Sequence, residues 1–554
     1  MTIIDLISII ILMLLLAYSV IKKYIDEKNG IDNSKTESKI DEFCNKHYKK
    51  IWIVFIIILF FTVVYKFGEI PTYLGCDEAG MAYDAYCLSE YGTDRYMNQY
   101  PLYLTNFGQG QSSLCAYLAV IFIKILGPNV IAYRMPMLLV YIVSVIASYL
   151  MVSKFKNKKF ALLFTFLIIT CPWNIFNTRM ALDCNLYLGM FMIALYFMTR
   201  AEKTYQFFIA GIFVGLNLYT YCLAWITMPI FLAVWIVYML NIKRINWKQI
   251  IVMGIPIAIL ALPLIYFLLL NYGIVKQTDI GIFSLPVLDT FRAEQISPLN
   301  IFKTGLESLK VIFMSEGTIY LLYVPLFIIG FILSFKNVVQ SIKEKKFDLT
   351  TVMVIAFVTL LIGLLFTRIP TANKANVLYF LILYFVAVAI IKICENSYLS
   401  KIIMLITICS LFINFTWNYF KVDGVSGDNW YEDRYLYSLT EEIEANERYA
   451  NMGKYIISYK AAPYIYVMLG TRMSPQEYME TQEIVDYGNN RTEIAKIGDY
   501  NFIYKSNEFD EVVNNKENGI FIISNRYENE IKELQEQGYT RQDYGYYAVM
   551  TKEE

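Results

Sequence analysis

Two adjacent carboxylates, Asp77 and Glu78, begin the polar stretch DEAGMAYDAYCLSEYGTDRYMNQYP shortly after an apolar run. Acidic side chains so close to a membrane boundary are costly unless they are solvated or used in function. A carboxylate placed beside a hydroxyl group can accept its proton and act as a general base. The structural alternative is that both residues stabilise a helix that begins there, because acidic side chains complement a helix N-terminus.

A second candidate group lies in the sequence PWNIFNTRMALDCNL, between two apolar runs. Arg179 and Asp183 are four residues apart, so a helix would place them on one face. They could form only a local ion pair. Alternatively, Asp183 could be a second acid that faces the loop of Asp77.

Further cations are predicted on the same side of the membrane as these acids, namely Arg134, Arg292, Arg368 and Lys374. An isolated cation near the end of a span usually reaches toward the lipid headgroups. Several cations around one acidic pocket would instead suit a pyrophosphate or phosphodiester headgroup. The residue types alone leave both interpretations open.

The composition excludes several other kinds of site and partner. Hydrophobic residues make up 57% of the 554 residues and charged residues only 17%, which is typical of a membrane protein. The single histidine, His47, excludes a histidine-based catalytic triad and a histidine-rich zinc site. The nine cysteines form no CxxC pair, and Cys76 and Cys87 either form a disulfide or are free thiols. Acidic and basic residues balance at 48 each, which argues against a nucleic-acid partner.

Twelve apolar runs approach the roughly 20 residues that a transmembrane helix needs. They predict an all-α polytopic membrane protein with about 12 transmembrane helices. The short runs 160–173 and 185–199 need flanking residues or local membrane thinning to span. The runs cover residues 3–21, 51–67, 130–152, 160–173, 185–199, 206–221, 223–240, 250–271, 317–335, 350–366, 377–392 and 402–420.

Lysine and arginine residues in the short loops predict the orientation, because they are enriched on the cytoplasmic side. Loop 22–50 holds eight lysines, and later alternate loops are also basic. If all of these loops are cytoplasmic, the N-terminus and everything after residue 421 lie outside. Counting the short apolar segment 112–127 as a span would place the lysines of 154–159 outside. We therefore interpret 112–127 as a juxtamembrane or re-entrant helix on the outer side; the alternative is a true span.

Polar segments are predicted outside the membrane at the outer loops 68–111 and 272–316 and in the tail 421–554. The tail is long enough for a domain, and its strand-like runs, YIYVML at 464–469 among them, indicate a small extracytoplasmic α/β domain. Residues 51–420 would form the catalytic membrane domain, and residues 1–50 an N-terminal helix with a lysine-rich cytoplasmic loop. The tail would serve either for acceptor docking or as a stabilising cap.

Together these motifs resemble the membrane glycosyltransferases of the GT-C fold. The similarity is greatest to the dolichyl-phosphate-mannose protein mannosyltransferases of glycosyltransferase family 39 and the related lipid A aminoarabinose transferases. That family places an Asp-Glu pair in its first outer loop, as in Asp77-Glu78. An apolar stretch ending in Gly and then Arg-x-Pro follows, matched by YRMP around Arg134. Arg179 and Asp183 match the family's second outer turn.

The resemblance is best over the first 200 residues, moderate up to residue 400 and weak over the tail. The sequence NKAN matches a later turn of bacterial members, with Lys374 in place of an expected arginine. The sequence QYP at 99–101 lacks the histidine of the family's HPP stretch, which argues against a protein acceptor.

The resemblance implies an inverting glycosyltransferase that takes a sugar from a polyprenyl-phosphate donor. The acceptor would be an extracytoplasmic glycan, lipid or protein. Asp77 would be the general base, and Glu78 and Asp183 would orient the substrates and stabilise positive charge on the sugar ring.

The same resemblance implies that Arg134, Arg179 and Lys374 neutralise the departing phosphate, so we expect neither a metal ion nor another cofactor. The high usage of Lys, Ile, Asn and Tyr favours a bacterial plasma membrane, with the active site at its outer face. Two rival functions are a transporter or flippase for lipid-linked sugars and a non-catalytic membrane scaffold. A transporter would be expected to show internal repeats and charged residues at mid-membrane, and the sequence has no clear repeat.

Overall fold

The structure is a computed structural model that is mostly helical, with 69% of the residues in helices. It describes residues 3–29, 34–71, 74–276, 281–289, 296–315, 317–369, 371–395, 397–421, 432–450, 452–458, 462–486, 492–515 and 519–552.

The helices of the first 421 residues belong to the membrane region and to the predicted outer loops. In chain order they are α1 (Ile3–Lys28), α2 (Ser34–Leu59), α3 (Cys76–Glu90), α4 (Leu114–Leu126), α5 (Val130–Phe155), α6 (Lys158–Ile169), α7 (Pro172–Thr178), α8 (Asp183–Arg200), α9 (Thr204–Asn217), α10 (Ala224–Asn241), α11 (Trp247–Asn271), α12 (Asn300–Met314), α13 (Tyr323–Glu344), α14 (Leu349–Leu365), α15 (Tyr379–Cys394) and α16 (Tyr398–Lys421).

The predicted apolar runs overlap α1, α2, α5, α6, α8 to α11 and α13 to α16. By length and composition, eight described helices can cross a membrane, or nine if α6 and α7, which are bent by 61°, form one span. The chain is therefore a multi-pass integral membrane protein, as the hydropathy predicted.

Asparagine and aspartate side chains determine where several of these helices begin. Asn129, Asn157, Asn246 and Asp348 each accept a hydrogen bond from the backbone amide three residues further on. Each bond satisfies an amide that the first helical turn leaves unpaired. These caps start α5, α6, α11 and α14.

Glycines allow two pairs of membrane helices to approach closely. A Cβ atom at Gly330 in α13 would overlap the backbone oxygen of Phe385 in α15. A Cβ atom at Gly211 in α9 would overlap the backbone oxygen of Met253 in α11. Small residues at such contacts permit the close packing that holds helices together in a membrane.

The first outer loop folds into α3, a hairpin and α4. Strands β1 (Tyr103–Asn106) and β2 (Gln109–Ser112) pair antiparallel, and the turn residues Phe107 and Gly108 both have positive φ, which suits a tight hairpin. Helix α4 has 13 residues, fewer than the roughly 20 that a span needs, and it packs against α3 and α5. The juxtamembrane interpretation of 112–127 stays a prediction. In the second outer loop, Arg292 lies outside the described residues.

The tail forms a mixed sheet with helices around it. Its elements are α17 (Glu432–Glu444), β3 (Gly453–Ile457), α18 (Tyr464–Thr471), α19 (Pro475–Thr481), β4 (Glu483–Asp486), β5 (Thr492–Ile497), β6 (Tyr500–Ile503), α20 (Ser506–Asn515), β7 (Gly519–Ser524), α21 (Glu528–Glu536), β8 (Tyr539–Tyr544) and β9 (Tyr547–Lys552). The seven strands lie in the order β4-β5-β6-β3-β7-β9-β8, and β3 runs parallel to both of its neighbours. The strand predicted at 464–469 is wrong, because these residues form α18, which is buried between α3 and α17.

The tail docks directly on α3, the helix that carries the first acidic pair. The hydroxyl of Tyr83 donates to the backbone oxygen of Met473 at 2.9 Å, and that of Tyr86 donates to the backbone oxygen of Arg472 at 3.1 Å. Apolar residues of α3, α4, α5 and the tail form one continuous buried cluster. The tail and the first outer loop therefore share a core.

Gly330→Ala should weaken the packing of α13 on α15, because the added methyl group meets the Phe385 backbone oxygen. Overpacking of a tight contact costs about 1–3 kcal/mol. We expect the apparent melting temperature of the detergent-solubilised protein to fall by several degrees. Gly254→Ala in α11 is the matched control, since no described atom lies within 4 Å of its added Cβ. Equal melting temperatures for the two variants would contradict this packing.

Candidate functional site

Asp77 lies in the first turn of α3 with an exposed side chain. The Nδ2 group of Asn106, at the end of β1, donates to Asp77 Oδ1 at 2.9 Å. The N-cap position of α3 is Gly75, and no side chain caps this end of the helix. Asp77 therefore complements the helix terminus only through its charge, and its carboxylate remains exposed.

Asp183 begins α8 ahead of the apolar residues 185–199, and its side chain is half-buried. The backbone N–H of Ser112, at the end of β2, donates to Asp183 Oδ2 at 3.0 Å. Burial raises the pKa of Asp183 to about 7, and the negative charge of nearby Asp77 acts in the same direction.

The β1–β2 hairpin connects the two acids. One end of the hairpin holds Asp77 through Asn106, and the other holds Asp183 through the Ser112 backbone. The structure thus brings together the two acids that the sequence placed in separate outer turns. No ion pair joins Arg179 to Asp183 in the part of the chain that the structure describes.

Glu78 is fully buried, although it is the direct neighbour of exposed Asp77. The Nε and Nη2 groups of Arg134 donate to its two carboxylate oxygens at 2.7 and 3.1 Å. The backbone N–H of Ala181 donates to Oε1 at 2.8 Å. Both oxygens therefore face the protein, and Glu78 joins α3, α5 and the turn before α8.

The two arginines predicted to bind phosphate are also turned inward. Arg134 is fully buried and, besides Glu78, donates to the backbone oxygen of Pro71. Arg179 is fully buried and donates to the backbone oxygens of Thr62, Tyr65, Lys66 and Ile70 at 2.7–2.9 Å. In this arrangement both guanidinium groups bind the protein, so the geometry does not support direct phosphate binding by either.

Lys374 lies in a short 3-10 helix, Ala372–Leu378, with a half-buried side chain. The Nδ2 group of Asn376 donates to the backbone oxygen of Cys184 at 3.1 Å and to Asn185 Oδ1 at 2.9 Å. These bonds dock the 3-10 helix against the first turn of α8. Lys374 is therefore carried by a segment that abuts the helix of Asp183.

Several site residues were missed by the sequence analysis. Asn106, Gln111 and Ser112 are buried polar residues of the hairpin, and Gln111 Nε2 reaches the backbone oxygen of Asp77 at 3.5 Å. The signal that could have identified them is the glycine-containing turn NFGQGQSS, which is typical of a hairpin.

The described residues include all nine cysteines and the acidic residues of the candidate site. No two cysteines in this part of the chain form a disulfide, so Cys76 and Cys87 are not joined. No three His, Cys, Asp or Glu side chains in this part of the chain come together as a metal site would require. The expectation that no metal is needed stays a prediction.

The architecture is shared with solved membrane enzymes. ArnT from Cupriavidus metallidurans bound to undecaprenyl phosphate matches with a TM-score of 0.56 at 10% identity, over 90% of this chain and 97% of that chain. Its apo state matches with a TM-score of 0.55. The Archaeoglobus fulgidus oligosaccharyltransferase in complex with Zn and sulfate matches with a TM-score of 0.50 at 14% identity, over 76% of this chain and 62% of that chain.

Both of these proteins are GT-C enzymes, so the predicted GT-C fold is confirmed. At such low identity the likeness establishes the fold alone. No protein-family profile matches the sequence, and no curated protein matches it.

Glu78→Gln and Asp77→Asn, at adjacent positions, should have very different effects on stability. Glu78→Gln leaves the buried Arg134 cation without its counter-charge, and breaking a buried pair costs about 3–5 kcal/mol. Asp77→Asn changes an exposed side chain, so the protein should express and melt nearly as the wild type does. Thermal unfolding in detergent measures both, and a Glu78→Gln protein as stable as Asp77→Asn would contradict the structural role of Glu78.

Proposed function

We propose that this chain is a membrane glycosyltransferase that moves a sugar from a polyprenyl-phosphate donor to an extracytoplasmic acceptor, with inversion at the anomeric carbon. The observation that carries the proposal is the exposed Asp77 carboxylate, held by Asn106 beside Asp183, within a GT-C fold.

The donor class is supported by the fold and by the chemistry of the chain. ArnT, which shares the architecture, was solved with undecaprenyl phosphate bound. A donor whose phosphate is already at the membrane surface needs no nucleotide-binding domain. Lys374, near the start of α8, is the cation that we assign to the departing phosphate.

In the proposed reaction, Asp77 is the general base. Its Oδ1 atom accepts the Asn106 hydrogen bond, and the exposed carboxylate takes the proton of the acceptor hydroxyl group. The acceptor oxygen attacks the anomeric carbon as the bond from that carbon to the phosphate oxygen breaks, and the bonding electrons leave with the phosphate. Such a base typically contributes about 10²–10⁴-fold to the rate.

The other residues have supporting roles in this proposal. Asp183, beside Asp77, contacts the sugar or the acceptor and stabilises positive charge on the ring. Glu78, Arg134 and Arg179 hold the loops in place from within the protein. This differs from the direct substrate contacts that the resemblance implied for these three residues.

We place the site on the outer face of a bacterial plasma membrane. In this topology about 12 helices cross, the N-terminus lies outside, and both the first outer loop and the tail face the outer side. Residues 51–420 form the catalytic region. The core shared by the tail and α3 favours a stabilising cap over a separate acceptor-docking module.

The test is transfer of radiolabelled sugar from polyprenyl-phosphate donors to membrane acceptors, with wild type and Asp77→Asn compared at equal expression. We expect the rate to fall by about 10²–10⁴-fold in the variant. Asp510→Asn is the matched control, because it changes an exposed acid of the tail far along the chain.

If Asp77→Asn and Asp510→Asn both transfer sugar at the wild-type rate, Asp77 has no role in catalysis. If wild-type protein transfers sugar from no donor, the proposal is wrong, and a flippase for lipid-linked sugars or a non-catalytic scaffold would have to be considered instead.

A further inference from the structure

A buried ion pair between Arg95 and Asp84 lies close behind Asp77. The Nε and Nη2 groups of Arg95 donate to the two oxygens of Asp84 at 2.9 and 2.7 Å, and the Arg95 backbone N–H donates at 3.1 Å. Both side chains are fully buried. Asp84 follows Asp77 by about two turns of α3, so the same helix determines the positions of the guanidinium group and the exposed acid.

The Arg95 guanidinium and the Asn106 amide face the same small space above Gly80. A Cβ atom at residue 80 would lie 2.7 Å from Arg95 Nη2 and 2.8 Å from Asn106 Oδ1. Arg95 Nη1 and Asn106 Oδ1 are both buried and have no hydrogen-bond partner among the described residues. A buried donor and a buried acceptor rarely stay unsatisfied, and a small rotation or one bridging water would pair these two.

The Asn106 amide has one orientation that suits both of its neighbours. With Nδ2 toward Asp77, it donates to a carboxylate and turns Oδ1 toward a cation. The reversed amide would place its oxygen against the carboxylate and its N–H groups against the guanidinium, which is unfavourable at both ends. The charge of Arg95 therefore selects the orientation that Asp77 needs.

We propose that Arg95, held by Asp84, is a positioning residue that orients the Asn106 amide so that its N–H group stabilises ionised Asp77. This inference rests on the proposed function, in which Asp77 is the general base. Glycine at position 80 is part of the arrangement, because a side chain there would separate Arg95 from Asn106.

Other charged and titratable groups also surround Asp77. Asp183 approaches from α8, and the thiol of Cys184 lies near both acids. Glu78 is neutralised by Arg134. None of these three groups exchanges a hydrogen bond with Arg95, Asp84 or Asn106 among the described residues, so changes at those positions leave the hydrogen bonds of Asp183 and Glu78 in place.

The test is the pH dependence of kcat and KM for sugar transfer by wild type, Asn106→Ala and the double variant Asp84→Asn/Arg95→Gln. The double variant removes both charges, so neither is left buried and unpaired. Asn106→Ala should lower kcat by about tenfold to a hundredfold, the effect of a hydrogen bond to a charged group, with KM nearly unchanged.

Loss of the donor disfavours the ionised carboxylate, so the acidic limb of the Asn106→Ala profile should move to higher pH. The double variant should move the limb in the same direction by a smaller amount. Arg95→Lys keeps the cation and should lie closer to wild type than the double variant does.

Lys156→Gln/Asp348→Asn is the control, because it removes a partly buried ion pair of 2.7 Å on the predicted cytoplasmic side. Its profile should match wild type. If Asn106→Ala and the double variant also keep the wild-type profile while Asp77→Asn is inactive, the positioning role is wrong and the proposed function stands. If Asp77→Asn transfers sugar normally, both are wrong.

Discussion

The buried ion pair between Glu78 and Arg134 is the interaction on which the candidate site depends. A fully buried carboxylate is strongly unfavourable unless it is paired and hydrogen-bonded. Arg134 and the Ala181 backbone satisfy both oxygens of Glu78, and in doing so they join three separate segments of the chain. Because Glu78 faces inward, the preceding Asp77 is held at the exposed edge of α3, next to the hairpin.

Other buried polar side chains around the site also bind backbone groups. Arg179 donates to four backbone oxygens of the segment between α2 and α3 and so holds that segment in place. Asn376 docks a 3-10 helix on α8 in a similar way. These two buried side chains therefore order backbone segments, whereas the Asp77 carboxylate stays exposed.

The sequence predicted the positions of the helices better than the contacts of the charged side chains. Each predicted apolar run overlaps a helix of the structure, and the structure places Asp183 near the Asp77-Glu78 pair. Hydropathy cannot tell which of two adjacent acids faces inward, so the different environments of Asp77 and Glu78 were not predicted. Arg134 and Arg179 were expected to bind phosphate. The sequence alone does not show whether an arginine at a membrane edge binds a ligand or a backbone oxygen. YIYVML was read as a strand because short apolar runs do not distinguish a buried helix from a buried strand.

In the proposed site, the Asp77 carboxylate contacts the substrate, whereas Glu78 holds the surrounding segments together. An experimental structure of the chain in lipid nanodiscs with undecaprenyl phosphate tests this claim most directly. We predict that the phosphate lies within reach of Asp77 and Lys374, with the Glu78–Arg134 pair intact. A phosphate bound by Arg134 or Arg179 with that pair broken, or bound away from Asp77, would contradict the account.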